Sequence, residues 1–150
     1  MIKRIAGWSR SLVSSLLVGA AVLAAPAAHA FTEGDAAIYT VADKEGKPTN
    51  IAYRFYVEKE KWIAEERAAD GSWAAFKCEK NCEIKPLPPD EVARVLGKVI
   101  DGMTIACIGN GNFSVCRYIL KNNPSAARHM MMVQTDKGIA LVHLIWTAPI

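Results

Sequence analysis

The residues of this chain that could do chemistry are few. Beyond residue 30 there are four cysteines, Cys78, Cys82, Cys107 and Cys116, two histidines, His129 and His143, scattered carboxylates, and aromatics concentrated between residues 53 and 76. Four thiolates could hold zinc, but the spacings Cys-x3-Cys and Cys-x8-Cys miss the tight pairs of structural zinc sites. A thioredoxin-type dithiol needs Cys-x-x-Cys, which is absent. An even number of cysteines in an exported chain reads instead as two disulfides. Of the three pairings, Cys78 with Cys82 and Cys107 with Cys116 are expected, because each pair brackets a turn. In the chain-entropy model such short loops contribute about 2 to 3 kcal/mol each.

His129 lies in His129-Met130-Met131-Met132, and His143 lies in the strand that follows. If Asp136-Lys137-Gly138 is a three-residue turn, Met131 faces His143 and His129 faces Ile145, which puts both imidazoles and Met131 on one face. The histidines would then be diagonal neighbours roughly 7 to 8 Å apart. Thioether and imidazole together suit Cu(I), so His129, Met131 and His143 form the one candidate metal set. Against it, methionines in an apolar strand ordinarily fill core gaps. No cofactor is expected.

Catalytic signatures are missing. Ser114 sits in Asn-Phe-Ser-Val-Cys rather than a Gly-x-Ser-x-Gly elbow, and neither His-Glu-x-x-His nor a glycine-rich phosphate loop occurs. Glu58 with Glu60, or Glu65 with Glu66, reads as ordinary surface charge, since adjacent residues in a strand point to opposite faces. An enzyme of unrecognised type stays as an alternative, because active sites are assembled from distant residues. Among the aromatics, Tyr56 and Trp62 are the candidate interface residues, being of the types that dominate protein contacts.

The elements that must position these residues begin after an export signal. Lys3, Arg4 and Arg10 precede an apolar run from Leu12 to Ala25, and Ala28-His29-Ala30 offers a cleavage point. The run is shorter than the roughly twenty residues a bilayer span needs, so residues 1–30 read as a cleaved secretory signal peptide and residues 31–150 as a single disulfide-stapled domain without a membrane anchor. The formal charge of +3 equals those three basic residues, so removing them leaves fifteen residues of each sign. A neutral domain with interspersed signs gives no electrostatic case for nucleic acid.

Asn50 to Glu58 alternates as a strand with Ile51, Tyr53, Phe55 and Val57 on one face. Lys59 to Ala69 has helical composition, but Asp70-Gly71 before Ser72-Trp73-Ala74-Ala75-Phe76 predicts a hairpin with Ala68 opposite Trp73. After Pro88-Pro89, apolar residues at Val92, Val95, Leu96, Val99 and Ile100 predict a helix over about 89–101, stopped by Gly102. Met103 to Leu120 reads as a hairpin in which Cys107 and Cys116 lie directly opposite if Gly111-Asn112 is the turn. Lys121 to Ser125 reads as a loop, and Arg128 to Gln134 pairs with Ile139 to Trp146. The expected fold class is α+β, mostly antiparallel β: a meander sheet or small barrel of seven to nine short strands with one helix and two disulfides. The expected function is that of a small, non-catalytic, protein-binding module of the cell envelope, periplasmic or secreted. Its partner would be another envelope protein, and an inhibitor or immunity partner of a cell-wall enzyme or toxin is one version. Periplasmic copper binding is the alternative.

Overall fold

The computed structural model describes residues 30–150; the export signal read over residues 1–30 lies, but for Ala30, outside the described residues. The strands are β1 (Ala37–Ala42), β2 (Pro48–Glu58), β3 (Lys61–Arg67), β4 (Trp73–Ala75), β5 (Lys85–Pro86), β6 (Met103–Gly109), β7 (Phe113–Leu120), β8 (Asn123–Thr135) and β9 (Gly138–Pro149), with one helix, α1 (Pro89–Leu96), between β5 and β6. All pairings are antiparallel, in the order β4-β3-β2-β1-β9-β8-β7-β6-β5. The first and last long strands thus meet in the middle of the sheet, which curls into a half-barrel. An isolated bridge between Trp62 and Ile84 draws its two ends toward each other.

The concave face holds the larger core, with Phe31, Tyr39, Phe55, Phe113, Val115, Met131 and Leu144 buried together. On the convex face, α1 covers β6, β7 and β8, and its Val92 and Leu96 pack with Cys107, Cys116, Tyr118, Met130 and Met132. Strands buried on both faces lose the apolar-polar alternation. That is why three successive methionines are all buried, Met131 facing inward and Met130 and Met132 under the helix. Flexible thioether side chains suit such a layer because they fill irregular gaps.

The helical run ends at Gly102 as expected, but its α-helical part stops at Leu96 and a 3-10 segment, Gly97–Gly102, completes it. A 3-10 turn has three residues rather than 3.6, so the apolar stripe falls out of phase. Val99, in the 3-10 segment, is exposed; within the α-helical part Val92 and Leu96 are buried and Val95 lies outside the covered stripe.

Cys107 and Cys116 are directly opposed across a two-residue Gly111-Asn112 turn, with Cα atoms 4.0 Å apart. Cys78–Cys82 is the second disulfide. Gly109 cannot carry a side chain in this hairpin, because a Cβ there would lie 2.5 Å from the Phe113 carbonyl oxygen.

Two other registers differ from expectation by one residue. In the β3–β4 hairpin Arg67, not Ala68, opposes Trp73. The loop has three residues, Ala69-Asp70-Gly71, closed by an Ala68 N–H bond to the Ser72 carbonyl (2.8 Å), and Gly71 takes the left-handed conformation at φ 85° that such a loop needs. In the β8–β9 hairpin the loop is instead shorter. Thr135 opposes Gly138 across Asp136-Lys137, and the Thr135 hydroxyl closes the turn, donating to the Gly138 carbonyl (2.7 Å) and accepting from the Lys137 N–H (3.2 Å). Residues 123–125, expected in a loop, begin β8, and the chain absorbs the excess in a bulge between Ile119 and Leu120.

Candidate functional site

The polar centre of the half-barrel is built from the first residues of the described chain. Thr32 caps a short 3-10 turn, Glu33–Asp35, with a reciprocal capping box. This turn aims the Asp35 carboxylate into the concave face, where it accepts from the Thr32 N–H (2.9 Å) and lies 3.1 Å from His129 Nε2 and 3.4 Å from Arg117 Nε. Arg117 and His129 oppose each other across β7 and β8, so one register delivers both to the same oxygen. Side-chain exposures of 9% for Asp35, 11% for His129 and 23% for Arg117 make this a nearly enclosed cluster. Burial alone would raise the Asp35 pKa, but the His129 and Thr32 hydrogen bonds and the electrostatic attraction of His129 and Arg117 outweigh it and hold the carboxyl below its usual range. Tyr39 donates to the Asp35 carbonyl (2.6 Å), and burial, with the Asp35 charge behind it, pushes its hydroxyl well above the usual phenol range.

A carboxylate on an imidazole is one half of a nucleophile-activating triad. Here the other half is absent: among the described residues His129 makes no hydrogen bond to a serine, threonine or cysteine. Aromatic rings close on it instead, Tyr39 at 4.9 Å and Phe31 at 6.2 Å between centroids. The arrangement is a clasp that fixes the N-terminal turn to the centre of the sheet.

The convex face of β2, β3 and β4 carries a different constellation. Alternation from the buried Phe55 sends Arg54 and Tyr56 outward, and the pairing of β3 with β4 brings Glu65, Arg67 and Trp73 to the same side. The Arg54 guanidinium lies 4.8 Å from the Trp73 ring centroid and 5.4 Å from that of Tyr56, and it is ion-paired with Glu65. Burial and then the Glu65 carboxylate raise the Tyr56 hydroxyl pKa. The helix packs only on the β6–β8 part of this face.

Of the residues singled out in the sequence, Tyr56 stands in this convex cluster. Trp62 does not: it faces the interior, edge-on to Phe31 at 5.2 Å. His129, Met131 and His143 are not brought together. The one-residue change in the β8–β9 register sets Met130 opposite His143 and Met131 opposite Val142. His143 therefore leaves the sheet on the convex side, while His129 and Met131 face the interior. An open groove of about 540 Å³ is lined by both histidine positions with Arg128 and Trp146, and no carboxylate lines it. Among the described residues no three His, Cys, Asp or Glu side chains converge on a common point, and no helix is long and apolar enough to cross a membrane.

The sequence does not mark Asp35, Arg117 or Arg54 as site residues, and it ranks Trp73 behind Tyr56 and Trp62 among the aromatics. The Thr-x-x-Asp spacing of residues 32 to 35 was a visible helix-start signal, whereas the other three depend on strand register. Comparison with family models, with curated proteins and with solved structures returns no match to this chain.

Proposed function

We propose that this chain is an exported, non-catalytic protein-binding module of the cell envelope, and that its contact surface is the convex face of β2–β4 around Arg54, Tyr56 and Trp73. The observation that carries this reading is the stacked Tyr56–Arg54–Trp73 row, left uncovered where α1 covers only the other half of the face. Tyr, Trp and Arg are the residue types in which binding energy concentrates. Here they are held rigid by the Glu65 ion pair and by strand pairing, which lowers the entropy lost when a partner docks. Two disulfides fit an oxidising compartment. The partner is another envelope protein, with an inhibited enzyme or toxin as one case.

The test is crosslinking capture from envelope extract by the oxidised mature protein, set beside a Tyr56→Ala, Trp73→Ala double variant. The expected result is a discrete crosslinked species that is lost in the variant, while its unfolding midpoint reports a stability change of about 1 kcal/mol or less, the scale of exposed cation–π contacts. Equal capture by both proteins, or no capture together with turnover of an extract component, defeats the reading.

A further inference from the structure

The two disulfides occupy very different surroundings. Cys107 and Cys116 are 4% and 0% exposed beneath α1. The Cys78–Cys82 loop stands at the surface, with Cys82 exposed and Cys78 half-buried. It rests on the β6–β7 turn through two side-chain amides, those of Asn110, whose Oδ1 also accepts from the Asn112 and Phe113 N–H groups, and Asn112. Asn112 Nδ2 donates to Cys78 Sγ at 3.0 Å and lies 3.4 Å from the Lys80 carbonyl, and Asn110 Nδ2 donates to the Cys82 carbonyl at 3.2 Å. Cys78 Sγ itself lies 3.2 Å from the Lys80 carbonyl oxygen.

We propose that Cys78–Cys82 is a thiol–disulfide exchange site, attacked at Cys82 and opened with Cys78 as the leaving group. A thiolate attacks a disulfide most readily at an accessible sulfur, and the reaction speeds up as the departing thiolate is stabilised. Cys82 is the more exposed of the two residues, and only Cys78 has an amide donor aimed at the charge that develops on departure. The electrons balance as follows. The incoming thiolate of a dithiol bonds to Cys82 Sγ as the Cys78–Cys82 bond breaks, and Cys78 leaves as a thiolate. The second thiolate of the dithiol then attacks the mixed disulfide at the dithiol's own sulfur, releasing Cys82. The dithiol is oxidised to a disulfide, the protein gains two electrons, and two protons end on the cysteines. The reduced Cys78 thiol then has the Lys80 carbonyl as an acceptor, which favours the open product.

Opening this loop has a reach beyond it. Phe76 and Ile84 stand two residues outside the two cysteines. Phe76 packs on Phe113 (4.5 Å) and Tyr53 (5.5 Å), and Ile84 makes the bridge to Trp62. The disulfide therefore ties together the two stretches that close the sheet's ends over the aromatic interior, and reduction loosens that closure while Cys107–Cys116 keeps the helix-covered half intact.

The experiment uses the oxidised mature protein with reduced glutathione, quenched in acid, alkylated and mapped by mass spectrometry without reduction. The expected product carries glutathione on Cys82 and the alkyl group on Cys78, with Cys107–Cys116 untouched. Asn112→Ala, whose lost side chain hydrogen-bonds only this loop among the described residues, is expected to slow opening by dithiothreitol about tenfold. Glutathione on Cys78, equal rates of loss for both disulfides, or an unchanged rate in Asn112→Ala would each overturn the proposal. The adduct map on the unaltered protein stands even if the variant folds poorly.

Discussion

Replacing Asp35 with alanine removes the hub of the interior clasp, and the structure sets the size of the effect. The carboxylate accepts from the Thr32 N–H and faces both His129 and Arg117. Deleting one partner of a buried ion pair costs roughly 3 to 5 kcal/mol, because the surviving group loses an attraction that offset its desolvation. Arg117 keeps 23% of its side-chain surface and so recovers part of its hydration. The expected loss for Asp35→Ala is therefore about 2 to 4 kcal/mol at pH 7, with Asp35→Asn in the lower half of that range because it keeps the Thr32 hydrogen bond. The assay is urea unfolding of the oxidised protein followed by tryptophan fluorescence. Its pH dependence supplies a second check. The folded pKa of Asp35 is depressed, so the stabilisation by its ionised form is fully present above the unfolded carboxyl pKa of about 4 and is lost as pH falls through the lower folded value. The gap between the unaltered protein and Asp35→Asn should thus hold from pH 7 down to about pH 4 and narrow below it. A loss under about 1 kcal/mol at pH 7, or a gap that widens on acidification, would refute the clasp as a stabilising element.

Three further outcomes follow from local geometry. Gly109→Ala forces a methyl group against the Phe113 carbonyl and the Ser114 backbone, so it should destabilise by about 1 to 3 kcal/mol or displace the hairpin turn, as read by thermal unfolding. Lys59 and Glu60 connect β2 to β3 with positive φ at both positions (48° and 63°), so Lys59→Asn with Glu60→Gly should stabilise the protein by about 1 kcal/mol or more in the same measurement. The Tyr39 hydroxyl is raised well above 10, so it should stay protonated in absorbance titrations through which an exposed tyrosine ionises. Because its folded pKa is the higher one, the associated stability is full below about pH 10 and falls as pH rises beyond it.

Elements whose signals are local were legible in the sequence. The two disulfide pairings, the helical run from residue 89 to Gly102, the strand identity of residues 61 to 67 and the antiparallel meander all rest on short-range spacing and turn chemistry. Asp70-Gly71 outweighed a helix-forming composition because a hairpin partner was at hand. Hairpin registers were less legible. Ala69-Asp70-Gly71 makes a three-residue loop where two residues were expected, and Asp136-Lys137 makes a two-residue loop where three were expected. Both stretches carry Asp and Gly, but Gly71 lies inside its loop whereas Gly138 is already paired with Thr135, and the choice lies in neighbouring hydroxyl and backbone bonds and in which side chains must face the core.

That single-residue choice governs the candidate sites. Read from the sequence, His129, Met131 and His143 share a face; in the folded chain, the need to bury both Met131 and Leu144 sets the opposite parity and sends His143 outward. The same registers bring Asp35 to His129 across 94 positions of sequence and stack Arg54 between Tyr56 and Trp73. By itself, then, the sequence determined which residues pair locally, where the helix lies and which thiols meet, because those outcomes depend on a few neighbouring residues. Only the tertiary structure decided which polar groups meet inside the half-barrel and which aromatics stay outside it, because sidedness in a sheet reverses with every residue of register and register is settled by the packing of the whole core.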